Sequence, residues 1–305
     1  MTTDSKRDVV IAVATYRRPD LLSELLRSLE HVATGRFRVI VIDNDAEGSG
    51  RKAAESSELA LDYSVEAHPG IAAARNAALD RLLPSDNFLV FVDDDERVTS
   101  DWLEKLLTTQ QTEKADVVAG PVISVFPPET PKWVTQGKFI QRARFATGSI
   151  ALSPATNNTL VRIAFLRDVG FPRFDESFSM TGGSDTEFFR RLRNSGARMV
   201  WCNEAIVYED VPLARTTFAW IFRRGVREGN VSGRLRLASV GRSRLFLEGV
   251  SRILLGTIRQ CASFITLRGL RARDIAYITR GLGWIGASRD RLVVEYARPT
   301  AKKSS

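Results

Sequence analysis

Apolar positions along this chain follow two rhythms. Some runs are apolar at every position; in others, apolar residues recur every three or four positions. The first rhythm suits strands buried on both faces of a parallel sheet, and the second suits amphipathic helices. Asp8 to Ala14 (DVVIAVA) predicts a first strand. Leu21, Leu22, Leu25, Leu26 and Leu29 then recur at helical spacing. Phe37 to Ile42 predicts a second strand, and Leu61 to Val65 a short third one. Ile71 to Leu83 predicts a small-sided helix stopped by Pro84, with Arg75 and Asn76 on its solvent face. Phe88 to Asp95 predicts the next strand, and a helix capped by Ser100 follows from about Asp101. Strands and helices alternating in this way predict an α/β fold with a doubly wound, mostly parallel central sheet and flanking helices.

The middle of the chain is less regular. Ala115 to Val125 reads as a strand but contains Gly120 and Pro121. Three prolines and several aromatics between Pro127 and Thr147 suggest an insert or lid on the acceptor side. Asn157 to Arg162 reads as a strand. Phe188, Phe189 and Leu192 mark one face of a helix, with Gly196 as its natural stop. Met199 to Trp201 and Ala205 to Tyr208 predict short strands, and Thr216 to Gly229 a helix bearing Arg223, Arg224 and Arg227. From Phe246 to Leu267, Ile, Leu and Phe are mixed with Arg244, Arg252 and Arg259. This spacing predicts an amphipathic helix whose arginines snorkel beside an apolar face, on a membrane surface or against the main domain.

The chemistry gathers at two places. Phe88-Leu89-Val90-Phe91-Val92 runs straight into Asp93-Asp94-Asp95-Glu96, an acidic cluster at the C-terminal end of a buried strand. Open α/β sheets place their ligands there. Crowded carboxylates repel unless a cation joins them, and hard oxygens suit Mg²⁺ or Mn²⁺ working beside substrate phosphates. The alternative is a solvated acidic turn. The second place is Asp185, behind Gly182 and Gly183 and in the first turn of a predicted helix. The helix N-terminus favours its ionised form. It serves either as a cap or as a group that meets a ligand, since the two glycines allow close approach.

Charge adds a third feature. The chain carries a formal +8, but Arg234 to Ser305 holds thirteen arginines and two lysines against four acids. That region therefore carries +11 and the remainder −3. Such asymmetry points to an anionic partner for the C-terminal region. Cys202 and Cys261 are the two cysteines, too few for a disulfide scaffold or a zinc site, as in a reducing compartment. Met1 to Lys6 is polar, so no signal peptide is expected, and no uncharged run reaches the roughly 18–20 residues of a membrane span. No internal repeat and no nucleic-acid motif is visible, and no nucleic-acid partner is expected. His31 reads as a helix-end residue; His68 precedes a Pro-Gly turn near the donor side.

These pieces, in this order, resemble family 2 glycosyltransferases of the GT-A fold, and among them the succinoglycan-type exopolysaccharide glucosyltransferases. The resemblance rests on Thr15-Tyr16-Arg17-Arg18-Pro19, on Val41 to Glu47, on Ile71 to Leu79 with Ala74-Arg75-Asn76, on Phe91 to Glu96, and on Gly182 to Phe189. Val211-Pro212, Arg215, Trp220 and Arg223 to Gly229 match later, so it covers roughly residues 8 to 235. It implies a GT-A domain over residues 1–235 and a basic, amphipathic helical region over 236–305. It implies inverting transfer from a UDP-sugar, with UDP-glucose first, to a glycan or polyprenyl-linked acceptor at the cytoplasmic face of the membrane, in cell-surface polysaccharide synthesis. Thr15, Tyr16, Asp43 and Asn44 would surround the nucleobase and ribose, with Arg17 beside them. Arg75, Asp93 and Asp94 would face the ribose, sugar or diphosphate, and Asp95 would hold Mn²⁺ or Mg²⁺. Arg224 and Arg227 would face the diphosphate. Asp185 matches the family's catalytic base. The usual Glu-Asp pair before that helix is Ser184-Asp185 here.

Two other classes compete. A nucleotidyltransferase would show a glycine-rich, basic phosphate loop after the first strand, but Thr15 to Pro19 has no glycine. A non-catalytic nucleotide-sugar binder would be signalled by the departure at Ser184.

Overall fold

A computed structural model describes residues 8–179, 181–267 and 269–293. The expectation for Met1 to Lys6 lies outside them. The described chain forms two compact units. One comprises residues up to Val125, Arg142–Glu176 and Ser184–Asp210. The other comprises Phe126–Gln141, Ser177–Gly183 and the chain from Val211 onward. The expected division at residue 235 falls inside a helix of the second unit, Phe218–Val240.

The first unit is built on a seven-stranded sheet. Its strands are β1 (Val9–Thr15), β2 (Phe37–Asp43), β3 (Leu61–Val65), β4 (Phe88–Asp93), β6 (Val117–Ala119), β8 (Thr159–Arg162) and β9 (Met199–Trp201), in the order β3-β2-β1-β4-β8-β6-β9. All run parallel except β8, which is antiparallel to both β4 and β6. Strands β5 (Glu96–Val98), β7 (Val122–Val125) and β10 (Val207–Asp210) make a small second sheet, β5-β10-β7.

The continuous apolar runs explain the layers. Alternate residues of a strand point to opposite faces. Val9, Ile11, Val13, Val39, Val41, Val90 and Val92 face one core, with Leu22, Leu25, Leu26 and Leu29 of α1 (Pro19–Glu30) and Trp102, Leu103 and Leu106 of α4 (Trp102–Glu113). Val10, Ala12, Ile40, Ile42, Leu89 and Phe91 face the other. There they meet the alanines of α3 (Ile71–Leu79), Phe165 and Leu166 of α6 (Ile163–Asp168), and Phe188, Phe189 and Leu192 of α7 (Ser184–Asn194). Five residues at Arg51–Glu55 form a short α2.

Four local expectations need correction. Helix α3 ends at Leu79 rather than Leu83, where its amide pairing gives way to a turn. Arg75 and Asn76 are not on a solvent face: Asn76 is buried, with its side chain tied to the backbone of Phe174 in both directions. Asp101, not Ser100, occupies the N-cap of α4, and without a side-chain cap bond. The single strand expected over Ala115 to Val125 is broken at Gly120-Pro121, and its halves enter different sheets. A Cβ at Gly120 would overlap the Asn158 amide, which donates to Pro121 O at 3.0 Å and Ala205 O at 2.7 Å. The stop at Gly196 holds. Its φ is +92°, its amide donates to Arg193 O, and the Ala197 amide donates to Leu192 O, the paired bonds of a Schellman end.

The second unit contains α5 (Lys132–Gln136), α8 (Phe218–Val240), α9 (Arg242–Ile265) and α10 (Ala272–Ser288). Val134, Ile140, Val211 and Ile221 form one apolar cluster with Trp133, Phe139 and Trp220. Helix α10 packs on both α8 and α9. Glycines set that closeness: Gly283 leaves room only for the α8 backbone around Val226 and Gly229, and Gly249 faces Gly281.

Candidate active site

Parallel strands β2, β1 and β4 end side by side at Asp43, Thr15 and Asp93. The sheet therefore presents these residues together at its C-terminal edge. Thr15 is buried and its Oγ1 donates to Asp94 Oδ2 at 2.8 Å. Arg18 Nη1 lies 3.2 Å from both Asp94 Oδ1 and Asp95 Oδ2, so one guanidinium spans two of the three aspartates. Arg17 has a φ of +54°; its Nε donates to Asp45 at 3.2 Å, and its guanidinium stacks on the Tyr16 ring.

Asp43 and Asn44 are buried and shape the neighbouring loops. Asp43 accepts from the amides of Asp45 (3.0 Å) and Gly50 (2.6 Å) and from the Tyr63 hydroxyl (2.8 Å). Asn44 donates to Glu66 O and His68 O and accepts from the Gly70 amide at 2.8 Å, just before α3. His68 itself lies 3.3 Å from Glu176.

The acidic cluster is unevenly neutralised. The protein packed around Asp93 pushes its carboxyl up to about 7; Arg75 and Arg142 oppose the shift, and Asp95 and Asp94 add to it. Burial also raises Asp94, against the pull of Arg18 and Thr15. Glu96 is held well above its ordinary value by burial and by Asp93. Its Oε2 accepts the Asp93 amide at 2.8 Å, whereas its buried Oε1 has no hydrogen-bond partner.

Helix α3 brings Arg75 to this edge. Its side chain is only 11% exposed, and Nη2 lies 3.6 Å from Asp93 Oδ1. Nη1 donates to Ser184 Oγ at 3.3 Å, the first residue of α7. Arg75 thus links the acidic end of β4 to the helix turn that carries Asp185. Asp185 is the second residue of α7, half-buried, and its Oδ1 accepts from the Thr186 amide at 2.7 Å. A small, open pocket is lined by Ala14, Ala74, Arg75, Asp93 and Thr156, among others. The small side chains of Ala14 and Ala74 leave this room.

Arg224 and Arg227 lie on α8 in the second unit. Arg224 Nε donates to Glu228 at 2.9 Å, and its guanidinium stacks on Trp220.

Among the described residues, no three His, Cys, Asp or Glu side chains converge as a metal cage. The residues do fit a cation shared with donor phosphates. Asp95 is 18% exposed, and its donors are hard oxygens.

Sequence reasoning missed Arg18, Ser184 and Glu96 as site residues. Arg18 was visible as the second basic residue of the turn after β1. Ser184 carried no signal of its own beyond its departure from Glu. Glu96 looked like one more acid of the cluster.

The sequence profile of glycosyl transferase family 2 matches residues 10–170. The chain belongs to glycosyl transferase family 2. Within this family it is 39% identical over 233 residues to the succinoglycan biosynthesis protein ExoM of Rhizobium meliloti (strain 1021), covering 74% of each chain. It is 29% identical over 240 residues to the pre-mycofactocin glycosyltransferase of Mycobacterium tuberculosis (strain ATCC 25618 / H37Rv), covering 75% of this chain and 47% of that one. Among solved structures, S. aureus TarS 1–349 superposes with a TM-score of 0.55 at 17% identity, over 93% of this chain and 91% of that one. The same protein in complex with UDP gives 0.53 at 20% identity, over the same shares. At these identities the likeness is one of fold, and that fold is GT-A. The protein is a glycosyltransferase.

Proposed function

We propose that this enzyme is an inverting, metal-dependent transferase. It moves a sugar, glucose first, from a UDP-sugar to a glycan or polyprenyl-linked acceptor in cell-surface polysaccharide synthesis, at the cytoplasmic face of the membrane. The observation that carries the reading is the position of Arg75, which ties Asp93 at the end of β4 to Ser184 beside Asp185. A donor-side carboxylate cluster and a candidate base thereby belong to one site. The similarity to ExoM supports the polysaccharide assignment, and the UDP and UDP-GlcNAc complexes of TarS support the nucleotide.

In this reading Thr15, Tyr16 and Arg17 line the nucleoside side. Asp43 and Asn44 act from below, by holding the loops that shape it. Asp93 and Asp94 face the ribose and sugar. Arg75 faces the sugar or diphosphate. The acceptor hydroxyl attacks the anomeric carbon from the side opposite the diphosphate. A new carbon–oxygen bond forms as the bond to the diphosphate oxygen breaks, and the hydroxyl proton passes to Asp185. Arg75 can offset the charge that develops on the leaving group. A divalent cation held by Asp95 and the donor phosphates would add charge stabilisation there.

Replacing Asp185 with Asn tests the assignment. Turnover should fall by roughly 10²–10⁴-fold, while donor affinity by calorimetry stays within about threefold. Unchanged turnover would remove Asp185 as the base and favour the binder reading.

A further inference from the structure

Helix α9 turns much of its polar side inward and a long apolar strip outward. An ordinary surface helix turns its apolar stripe inward. Here the side against α10 carries Leu245 and Ile253, but also Gly249, Arg252, Gly256, Arg259, Gln260 and Ser263, all of them buried or half-buried. The polar groups on that side are engaged within the unit. Arg259 Nε donates to the buried Asp274 at 3.0 Å, and Arg252 stacks over Trp284 and Tyr277. Gln260 donates to Gly269 O at 3.0 Å and accepts the Arg271 amide at 3.1 Å; Ser263 also donates to Gly269 O. Small residues and paired polar groups between helices, with apolar residues outside, are how helices pack when their surroundings are lipid.

The outward side is the reverse. Leu247, Leu254, Ile258 and Ile265 are 65%, 59%, 66% and 83% exposed. They follow one another at spacings of seven, four and seven residues, with exposed Ser251 and Cys261 between them, so they lie along one line of the helix. Exposed Leu255, Phe264 and Leu267 widen the strip, and no charged residue interrupts it from Leu254 to Leu267 on the exposed side. The strip is thus wider than a two-helix seam and lacks the flanking charges that would choose a partner helix. Charge sits at its ends instead. Exposed Arg242 and Arg244 precede it, and exposed Arg271 and Arg273 follow it. From residue 242 to 293 the chain holds ten arginines and three acids. Among the described residues no helix is long and apolar enough to cross a membrane.

We propose that the outward face of α9 is a membrane-docking surface that lies in the interface of a bilayer containing anionic phospholipid. Its leucines and isoleucines enter the acyl boundary, and the arginines at both ends meet lipid phosphates. A second copy of the chain fits less well, because two such faces would bring arginine-rich ends together. Of the three arginines expected to snorkel, Arg252 and Arg259 face α10, whereas Arg244 takes that role with the other end arginines. The surface is independent of the transferase reading, since none of its residues belongs to the site.

The test uses the full chain and vesicles of phosphatidylcholine with or without 30% phosphatidylglycerol, about a third of the lipid being anionic. Wild-type protein should sediment with the anionic vesicles. The triple variant Leu254→Ser, Ile258→Ser, Ile265→Ser should lose at least about tenfold in partitioning, with UDP-sugar turnover in solution unchanged. A polarity-sensitive dye on exposed Cys261, the other cysteine being buried, should shift to the blue with vesicles in the otherwise unaltered chain. Equal partitioning of wild type and variant, or no dye shift, would overturn the proposal. So would a dimer in vesicle-free sedimentation that the triple variant dissolves, since a second copy would then cover the face.

Discussion

Arg75 stands between Asp93 and Ser184, 3.6 Å from the carboxylate of the one and 3.3 Å from the hydroxyl of the other. Its guanidinium is nearly buried and also packs over the Phe174 ring. Few side chains could bridge these points, because the contact needs a fork of donors on a long stem.

Arg75→Ala should lower kcat/KM by roughly a hundredfold, and Arg75→Lys should recover little of it. Ser184→Ala removes only the weaker arm and should cost a few-fold, the equivalent of about 1 kcal/mol. Steady-state kinetics on the three variants checks the ranking; a Lys variant as active as wild type would reduce Arg75 to a point charge.

Gly183 should tolerate no side chain. Its φ is +94°, and a Cβ there would overlap the Val231 side chain. It lies two residues before Asp185, so any shift moves the start of α7. Gly183→Ala should destabilise by about 1–3 kcal/mol and reduce turnover more than Gly170→Ala. Gly170 also has a positive φ, but there a Cβ meets nothing. Thermal melts and turnover of the two variants provide the comparison.

Acid stability should depend on Asp8. Burial pushes this carboxyl up, but Arg36, which donates at 2.7 and 2.8 Å, and Asn87 outweigh it and hold it below its ordinary value. A carboxylate lowered by folding stabilises above its unfolded pKa, and that contribution fades as pH falls through the folded value. Asp8→Asn should therefore cost roughly 1–3 kcal/mol at neutral pH and almost nothing near pH 2. Urea midpoints at pH 7, 5, 3.5 and 2 follow the difference; a gap that persists at the lowest pH would assign the effect to packing.

Much of the fold was legible because its signals are local. The run Phe88 to Val92 could only be a doubly buried strand, and the acids after it had to lie at its C-terminal end. The leucines of α1 and Gly196 at the end of α7 were equally plain. What escaped depends on distant partners. Gly120-Pro121 looked like an irregular strand, because the Asn158 amide that divides it comes from another part of the chain. Arg75 looked solvated within an alanine-rich helix, because Asp93 and Ser184 are far away in sequence. Asp43 could be seen at a strand end, but not that two loop amides and Tyr63 occupy its oxygens. For α9 the periodicity marked two faces without saying which one turns inward, and much of the polar one does.

The central claim is that this site turns over a UDP-sugar with a divalent cation at Asp95. The direct measurement is nucleotide release across a panel of UDP- and GDP-sugars, with Mn²⁺ or Mg²⁺, with EDTA, and with Asp95→Ala. Lipid extract from a bacterial membrane is added as the acceptor source. The account predicts UDP release from one sugar, abolished by EDTA and reduced at least about a hundredfold in the variant. Release that persists in EDTA and in Asp95→Ala, or release from GDP-sugars alone, would contradict it.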